Sequence, residues 1–389
     1  MNKSLKRLLL LGLISSTILL PQTIFARSTS NLTDTKPHIH WEGRTTIKVK
    51  RSSSSGPVGY TPVQIRKAYG VNNVSDTGAG ETIAIVDAYG SPTMQNDLDA
   101  FSSKFGIPST NLTIAYPNGK PKKTDGGWAL ETSMDVEWAH AIAPGAKILL
   151  VVAKSPSDTY LMNAINYATS HGAEVVSNSW GGSESYNENN YDSYFNHSSV
   201  TYLASSGDSG SGVEWPASSP YVVSAGGTTL NVDSTGTYES ETGWSGSGGG
   251  LSTYVSIPDY QKSVSNIVGN YRGNPDISWV SDPNTGATVY DTTSYEGQAG
   301  WFQVGGTSLS SPSLAGVVAL IDQSLGHSLD SYDFLTDLYA ATSSSYDTDY
   351  HDVTSGSNGD YTAESGYDLV TGIGTPKVDK LINYFDSNR

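Results

Sequence analysis

Between residues 81 and 230 the chain alternates short apolar runs with helix-like segments, and this alternation restricts its fold more than any other feature. ETIAIVDAYG (81–90), AKILLVVA (146–153), AEVVSNSWGG (173–182), VTYLASSGDSG (200–210) and YVVSAGGTTL (221–230) are brief, β-branched and bounded by turn residues. PTMQNDLDAFSSKFG (92–106), GWALETSMDVEWAHAIAPGA (127–146) and TYLMNAINYATSHG (159–172) lie among them and read as helices. Strand–helix alternation predicts an α/β fold, a parallel sheet with helices on both faces. Ligands on such sheets bind at the carboxyl ends of the strands. The polar residues there are Asp87, Ser179, Trp180 and Asp208. The folded part is expected to begin near YTPVQIRKAYG (60–70), and 231–300 reads as loop-rich.

The helix at 127–146 carries Glu131, Asp135 and Glu137. Glu131 and Asp135 are four apart, a like-charge spacing that destabilises a helix by about 0.2–0.5 kcal/mol. Helical periodicity places both inside the apolar stripe of Met134, Trp138 and Ile142. Two carboxyls buried together cannot both ionise cheaply, so the pair is a functional-site candidate. Glu137 and His140 fall off that stripe, and for Glu137 the expectation is a solvated face.

A second informative stretch is GWFQVGGTSLSSPSLAGVVALIDQSLG (300–326). A Gly-Gly-Thr-Ser turn runs into a long apolar helix, with Ser308 near its start and Pro312 expected in its first turn. Backbone N–H groups point outward there and favour negative charge, which suits a nucleophilic serine whose own N–H helps hold an oxyanion. A plain N-cap serine gives the same local pattern.

The residues now carry a resemblance. Gly-Thr-Ser-x-Ser-x-Pro before a helix, with SWGG and SSGDSG, resembles the subtilisin-like superfamily. None of the seven His residues sits in the His motif that supplies the base in subtilisins proper. The Glu-x-x-x-Asp helix stands in its place, and the chain is identified as similar to the sedolisins, the serine-carboxyl peptidases. The similarity runs from about residue 60 to 380. It rests on YTPVQIRKAYG, IVDAYG, WALETSMDVEWAHAIAPGA, SWGG, SSGDSG, SGGGLS, RGNPDIS and GGTSLSSP, in that order.

The resemblance implies a subtilisin-like parallel sheet in a single catalytic domain, with roles as follows. Ser308 is the nucleophile and Glu131 the general base. Asp135 hydrogen-bonds Glu131 and holds its orientation and proton. Asp208 takes the oxyanion position, where subtilisins have Asn, and must be protonated to donate there. Asp87 extends the acid network and Trp180 accompanies it. One structural Ca²⁺ is implied in HDVTSGSNGDYTAESGYD (351–368), held by Asp352, Val353, Glu364, Gly366 and Asp368. Glu364 stands where relatives usually carry Gly, and only its carbonyl would be needed.

At the other end, MNKSLKRLLLLGLISSTILLPQTIFA reads as a signal peptide (1–26): Lys3, Lys6 and Arg7 precede a short apolar run, and Ala26 precedes the cleavage point. Residues 27–58 read as a short leader or linker, where sedolisins usually have a long prodomain. The peptidase domain is then 59–389. A secreted protein without cysteine has no disulfides, so its stability must come from the core or an ion. Thirty-eight acidic against 22 basic residues, net −16, disfavours nucleic acid and anionic membranes as partners. Polypeptide substrates, no membrane contact after signal removal and a monomer are the remaining expectations.

Two competing functions stand beside a secreted, acid-acting endopeptidase. One is a catalytically inactive sedolisin-like peptide-binding protein, although every key position is occupied. The other is a glycosidase built on Glu131 and Asp135. Paired acids of that kind flank a sugar across a cleft, which two adjacent turns of one helix fit poorly.

Overall fold

Strand–helix alternation does produce a parallel sheet in the computed structural model, which describes residues 48–389. The signal peptide and the leader up to residue 47 lie outside the described residues. In chain order the elements are β1 (Lys48–Ser53), α1 (Pro62–Ala68), β2 (Thr82–Ala88), α2 (Met94–Phe105), β3 (Thr113–Ala115), α3 (Gly126–Ile142), β4 (Lys147–Ala153), α4 (Asp158–Ser170) and β5 (Val175–Asn178). Then come β6 (Gly182–Ser183), β7 (Thr201–Ser205), β8 (Glu214–Trp215), β9 (Val223–Val232), β10 (Tyr238–Gly243), β11 (Gly250–Ser256) and α5 (Ser265–Val268). Further along the chain are β12 (Tyr271–Asn274), β13 (Ile277–Val280), β14 (Ala287–Tyr295), β15 (Gln298–Gly305) and α6 (Thr307–Leu325).

The main sheet runs β10-β9-β7-β5-β2-β4-β3, and β13 also pairs with β9. All its pairings are parallel except β9 with β10. Residue alternation divides the core in two. Ile83 and Ile85 of β2 pack with Leu130, Met134 and Ile142 of α3 and with the apolar face of α6. Ala84 and Val86 face the opposite side with Leu161 and Ile165 of α4. Asp87 has the parity of Ile83 and Ile85, so β2 aims it at the α3 side of the sheet.

Helix α3 departs from the amphipathic expectation. Every residue from Trp128 to Ile142 is buried, because β2, α2, α6 and β14 pack around it. Glu137 therefore has no solvated face: it is 0 % exposed, and one carboxylate oxygen accepts the Tyr290 N–H of β14 at 3.0 Å. His140 is buried as well, with Nε2 2.7 Å from the Pro108 carbonyl. Each fully buried Leu, Met or Ile contributes about 1.5–3 kcal/mol, and this apolar burial offsets the desolvation of the carboxyls carried on the same helix.

Two further stretches differ from their sequence reading. The region 231–300 holds β10 to β14, of which all but the apolar β13 are rich in polar residues and turn signals. Residues 48–53, read as the end of a leader, form β1, which pairs antiparallel with β15 in a three-stranded sheet completed by β14. Register places Lys48 opposite Gly305 and Ser53 opposite Trp301.

Candidate active site

The candidate residues come from the carboxyl ends of β2, β5 and β7, from the β15–α6 junction, and from α3. Gly306 joins β15 to α6 with φ 125°, and a Cβ there would lie 2.5 Å from Asp208 Oδ2. Only glycine meets both demands. Its neighbour Thr307 donates its N–H to Asp208 Oδ1 at 2.7 Å, and the Thr307 hydroxyl lies 2.8 Å from the same oxygen. Asp208 thus satisfies one of the donors that a helix N-terminus leaves over. Burial pushes its carboxyl above the usual range, while the Thr307 bonds and the Lys48 cation pull it back. With Oδ1 held as an acceptor, Oδ2 is the oxygen left to carry a proton.

Ser308 is the second residue of α6 and is 4 % exposed. Pro312 lies inside the helix, one turn further in than the sequence suggested. Its position has a consequence for Ser308. A helical N–H at 312 would bond the Ser308 carbonyl, and proline has none. The Ser179 hydroxyl donates to that carbonyl instead, at 3.1 Å. Two more hydroxyl pairs hold the same turn: Ser311 with Ser177 of β5 at 2.8 Å, and Ser310 with Ser281 at 2.7 Å. Further along, a Cβ on Gly316 would sit 2.7 Å from Ile142 Cβ, so α6 and α3 approach closely because that residue is glycine.

Glu131, Asp135 and Asp87 are each fully buried. Burial raises Asp135 well above the usual carboxyl range, Asp87 and Glu131 raise it further, and the Ser179 hydroxyl opposes them. Burial pushes Asp87 up to about 7, against the Thr132 hydroxyl. Ser179 gives its one hydroxyl proton to the Ser308 carbonyl and has Asp135 as an electrostatic neighbour, so it is the joint between the two. Trp180 donates its indole N–H to the Val86 carbonyl at 2.8 Å, next to Asp87. Asp87 and Glu131 thus both act on Asp135, while Ser308, Asp208 and Trp180 meet at one cleft, and Ser179 stands between the two groups.

The cleft has a volume of about 690 Å³ and is lined by Trp180, Gly181, Asp208, Glu214, Thr307 and Ser308, among others. Among the described residues, no histidine lines it. Glu214 was not singled out from sequence. Its carboxylate fits between two glycines: a Cβ on Gly181 would lie 2.5 Å from Oε2, and one on Gly207 2.8 Å from Oε1. Burial and then Asp208 push Glu214 up to about 7. In sequence it is one acid in a polar loop, and only the closure of β6 on β8 brings it to the cleft.

The proposed calcium residues stand together on the 351–368 loop but are not arranged as a cation cage. Asp352 accepts the Tyr346 hydroxyl, the Gly366 N–H and the Ser365 hydroxyl. Asp368 accepts the N–H groups of Glu364, Val370 and Thr371 and the Thr371 hydroxyl. Donors occupy the oxygens a cation would need. Among the described residues, no group of three or more His, Cys, Asp or Glu side chains is placed to hold a metal ion. The residues present do not fit the ion in this arrangement.

Comparison with known proteins bears on the whole of this picture. The family model described as "Subtilase family" matches residues 118–361. The chain is 32% identical to kumamolisin of Bacillus sp. (strain MN-32), over 89% of this chain and 67% of that protein. It is 30% identical to sedolisin of Pseudomonas sp. (strain 101), over 85% of this chain and 62% of that one. It thus spans about two thirds of the length of these curated relatives. The solved structure of Pseudomonas sedolisin, a serine-carboxyl proteinase complexed with two molecules of pseudo-iodotyrostatin, superposes with a TM-score of 0.75 at 31% identity. The match covers 86% of this chain and 100% of that one.

Proposed function

The chain belongs to the sedolisin family of serine peptidases, with a subtilisin-like fold, and from that premise we propose that it is a secreted endopeptidase that hydrolyses proteins at acid pH. The observation that carries this reading is that Ser308 lies under a cleft beside Asp208, with its carbonyl held by Ser179, a neighbour of the buried Asp135. In the reaction Ser308 Oγ attacks the peptide carbonyl carbon and its proton passes to Glu131. A neutral Asp135 donates a hydrogen bond to Glu131 and leaves it as the group able to take that proton. The oxyanion is held by the Ser308 N–H and the Asp208 Oδ2–H. Collapse of the tetrahedral adduct breaks the C–N bond, and Glu131 returns the proton to the departing amine. Water then attacks the acyl-enzyme and gives a proton to Glu131, and as the ester C–O bond breaks Glu131 passes that proton to Ser308 Oγ, which restores the free serine and the ionised base.

Acid pH is built into this scheme, because an ionised Asp208 cannot donate. Burial lets it keep its proton further towards neutrality than an exposed aspartate. The deciding experiment is a pH–activity profile on denatured protein with Ser308→Ala as control. Activity is expected to peak below about pH 5 and to vanish in the variant. A peak at pH 8 would sink the carboxyl-donor mechanism, and activity surviving in Ser308→Ala would sink the assignment of the nucleophile. A wild type with no turnover at any pH would favour an inactive peptide-binding protein.

Secretion rests on residues 1–26, and N-terminal sequencing of the exported protein tests it. Among the described residues, no helix is long and apolar enough to cross a membrane. Polypeptide substrates and a monomeric state complete the proposal, the latter tested by sedimentation. A structural Ca²⁺ on Asp352, Asp368 and the carbonyls of Val353, Glu364 and Gly366 requires the 351–368 loop to turn its amides away from both carboxylates. EGTA is expected to lower the melting temperature if that happens, and an unchanged value removes the ion from the reading.

A further inference from the structure

The strand β1 carries a residue into the catalytic centre that neither sequence nor family resemblance singled out. β15 leads straight into Gly306, Thr307 and Ser308, and β1 pairs with it up to Gly305. That register delivers Lys48 to the loop after β7. Lys48 Nζ donates to the Asp208 carbonyl at 3.0 Å and lies 5.1 Å from the centre of the buried Trp244 ring. A cation over an indole face and against a carbonyl has two attractions fixing its position. Lys48, Asp208, Trp244 and Asp282 line one small depression beside the main cleft.

We propose that Lys48 is a positioning residue for Asp208, holding its loop and placing a positive charge beside the carboxyl that must stay protonated. The inference rests on Asp208 acting as the oxyanion donor. Its consequence has a definite sign. A neighbouring cation favours the ionised carboxylate, so Lys48 makes Asp208 release its proton at lower pH and draws the alkaline limb of activity towards acid. The other charged groups around Asp208 act differently. Glu214 on β8 lines the same cleft, and with its carboxyl pushed up to about 7 it is neutral at acid pH and adds no charge there. Asp282, after β13, is tied up by Thr229, the Asn284 N–H and the Asn284 side-chain amide. From α6 come only the Thr307 N–H and hydroxyl. Lys48 is therefore the one cation among these neighbours. β1 belongs to the working enzyme in this view, and a segment that resembles a disposable leader sets the pH range.

The test is the pH profile of kcat/KM for Lys48→Met and Lys48→Arg in the full chain. Lys48 is exposed and near the start of an edge strand, so neither change disturbs the core. The alkaline limb of Lys48→Met is expected to move up by about half a pH unit, the modest size reflecting solvent screening. Lys48→Arg should keep the wild-type limb. The gap between wild type and Lys48→Met should shrink in 1 M salt, where the screening length falls to about 3 Å. Coincident limbs overturn the inference. So does a Lys48→Met enzyme that is slower at every pH with an unmoved limb, which marks a purely mechanical role. An active secreted form that begins after residue 48 overturns it as well. Asp208→Asn separates this inference from the reading beneath it. If the wild-type limb persists in Asp208→Asn, Asp208 is not the titrating donor and the mechanism itself fails. If that limb disappears while Lys48→Met shows no shift, only the role of Lys48 fails.

Discussion

Two buried acid clusters flank α3, and only one of them leads to Ser308, the proposed nucleophile. On the side facing the sheet and α6, Glu131 and Asp135 meet Asp87 and, through Ser179, the backbone of Ser308. On the side facing α2 and β14, Glu137 lies near Asp97 and Asp291, all three buried. Asp97 accepts the hydroxyls of Thr93 and Thr292 and the Thr292 N–H. Asp291 accepts the Thr293 N–H at 2.8 Å. Burial raises Glu137 well above the usual range and pushes Asp291 up to about 7, as it raises Asp135 and Asp87 on the other side, so both clusters hold raised carboxyls. They differ in connection: one reaches a serine under a cleft, the other ends in a threonine-lined seam between helix and hairpin. Perturbed carboxyls alone therefore do not mark a catalytic centre.

The sharpest way to break this contrast is to neutralise one acid from each cluster. Glu131→Gln is expected to lower kcat by about 10²–10⁴. Glu137→Gln should stay within about twofold, since the carboxyl is held protonated at acid pH and the amide that replaces it is neutral as well. Equal losses would dissolve the distinction. A smaller effect is expected at the joint. Ser179→Ala strands the Ser308 carbonyl beneath Pro312 and should lower kcat by about tenfold with KM little changed, the mark of misplacement at the reacting centre. Unchanged kcat would mean that the link through Ser179 is incidental.

The smallest effect belongs to the far cluster and is read as stability. A carboxyl whose folded pKa is raised binds its proton more tightly in the native state. The resulting stability is whole below the unfolded pKa of about 4 and is lost as pH rises to the folded value, about 7 for Asp291. The wild-type melting temperature is thus expected to fall across that window. Asp291→Asn should flatten the decline and gain about 5 °C at pH 7, with little change at pH 4. Parallel melting curves would show that the far cluster does not respond to protons.

Strand and helix positions were legible to within a few residues, because buried parallel strands and their helices write strong periodicities. The α3 acids were half legible. Helical spacing places Glu131 and Asp135 inside, but it assumes that a helix has one wet face, and Glu137 and His140 belong to a helix enclosed on every side. What encloses it is β14, ATVYDTTSY, whose polar run carries no alternating signal. Lys48 and Glu214 were illegible for a related reason. Each reaches the cleft through cross-strand pairing, β1 on β15 and β8 on β6, and register between distant segments is not written in either one alone. Ser308 and Asp208 could be found because local turn chemistry, not long-range pairing, sets their positions.

Helix ends fray, and the second residue of a helix is ordinarily among its most mobile. Ser308 occupies that place, yet Pro312 hands its carbonyl to Ser179, and the residues beside it are fastened to Asp208, Ser281 and Ser177. Ser308 is moored sideways to the strand ends rather than lengthwise to its own helix. The end of α6 that would normally open first thus carries fastenings to three other parts of the fold, which oppose its fraying.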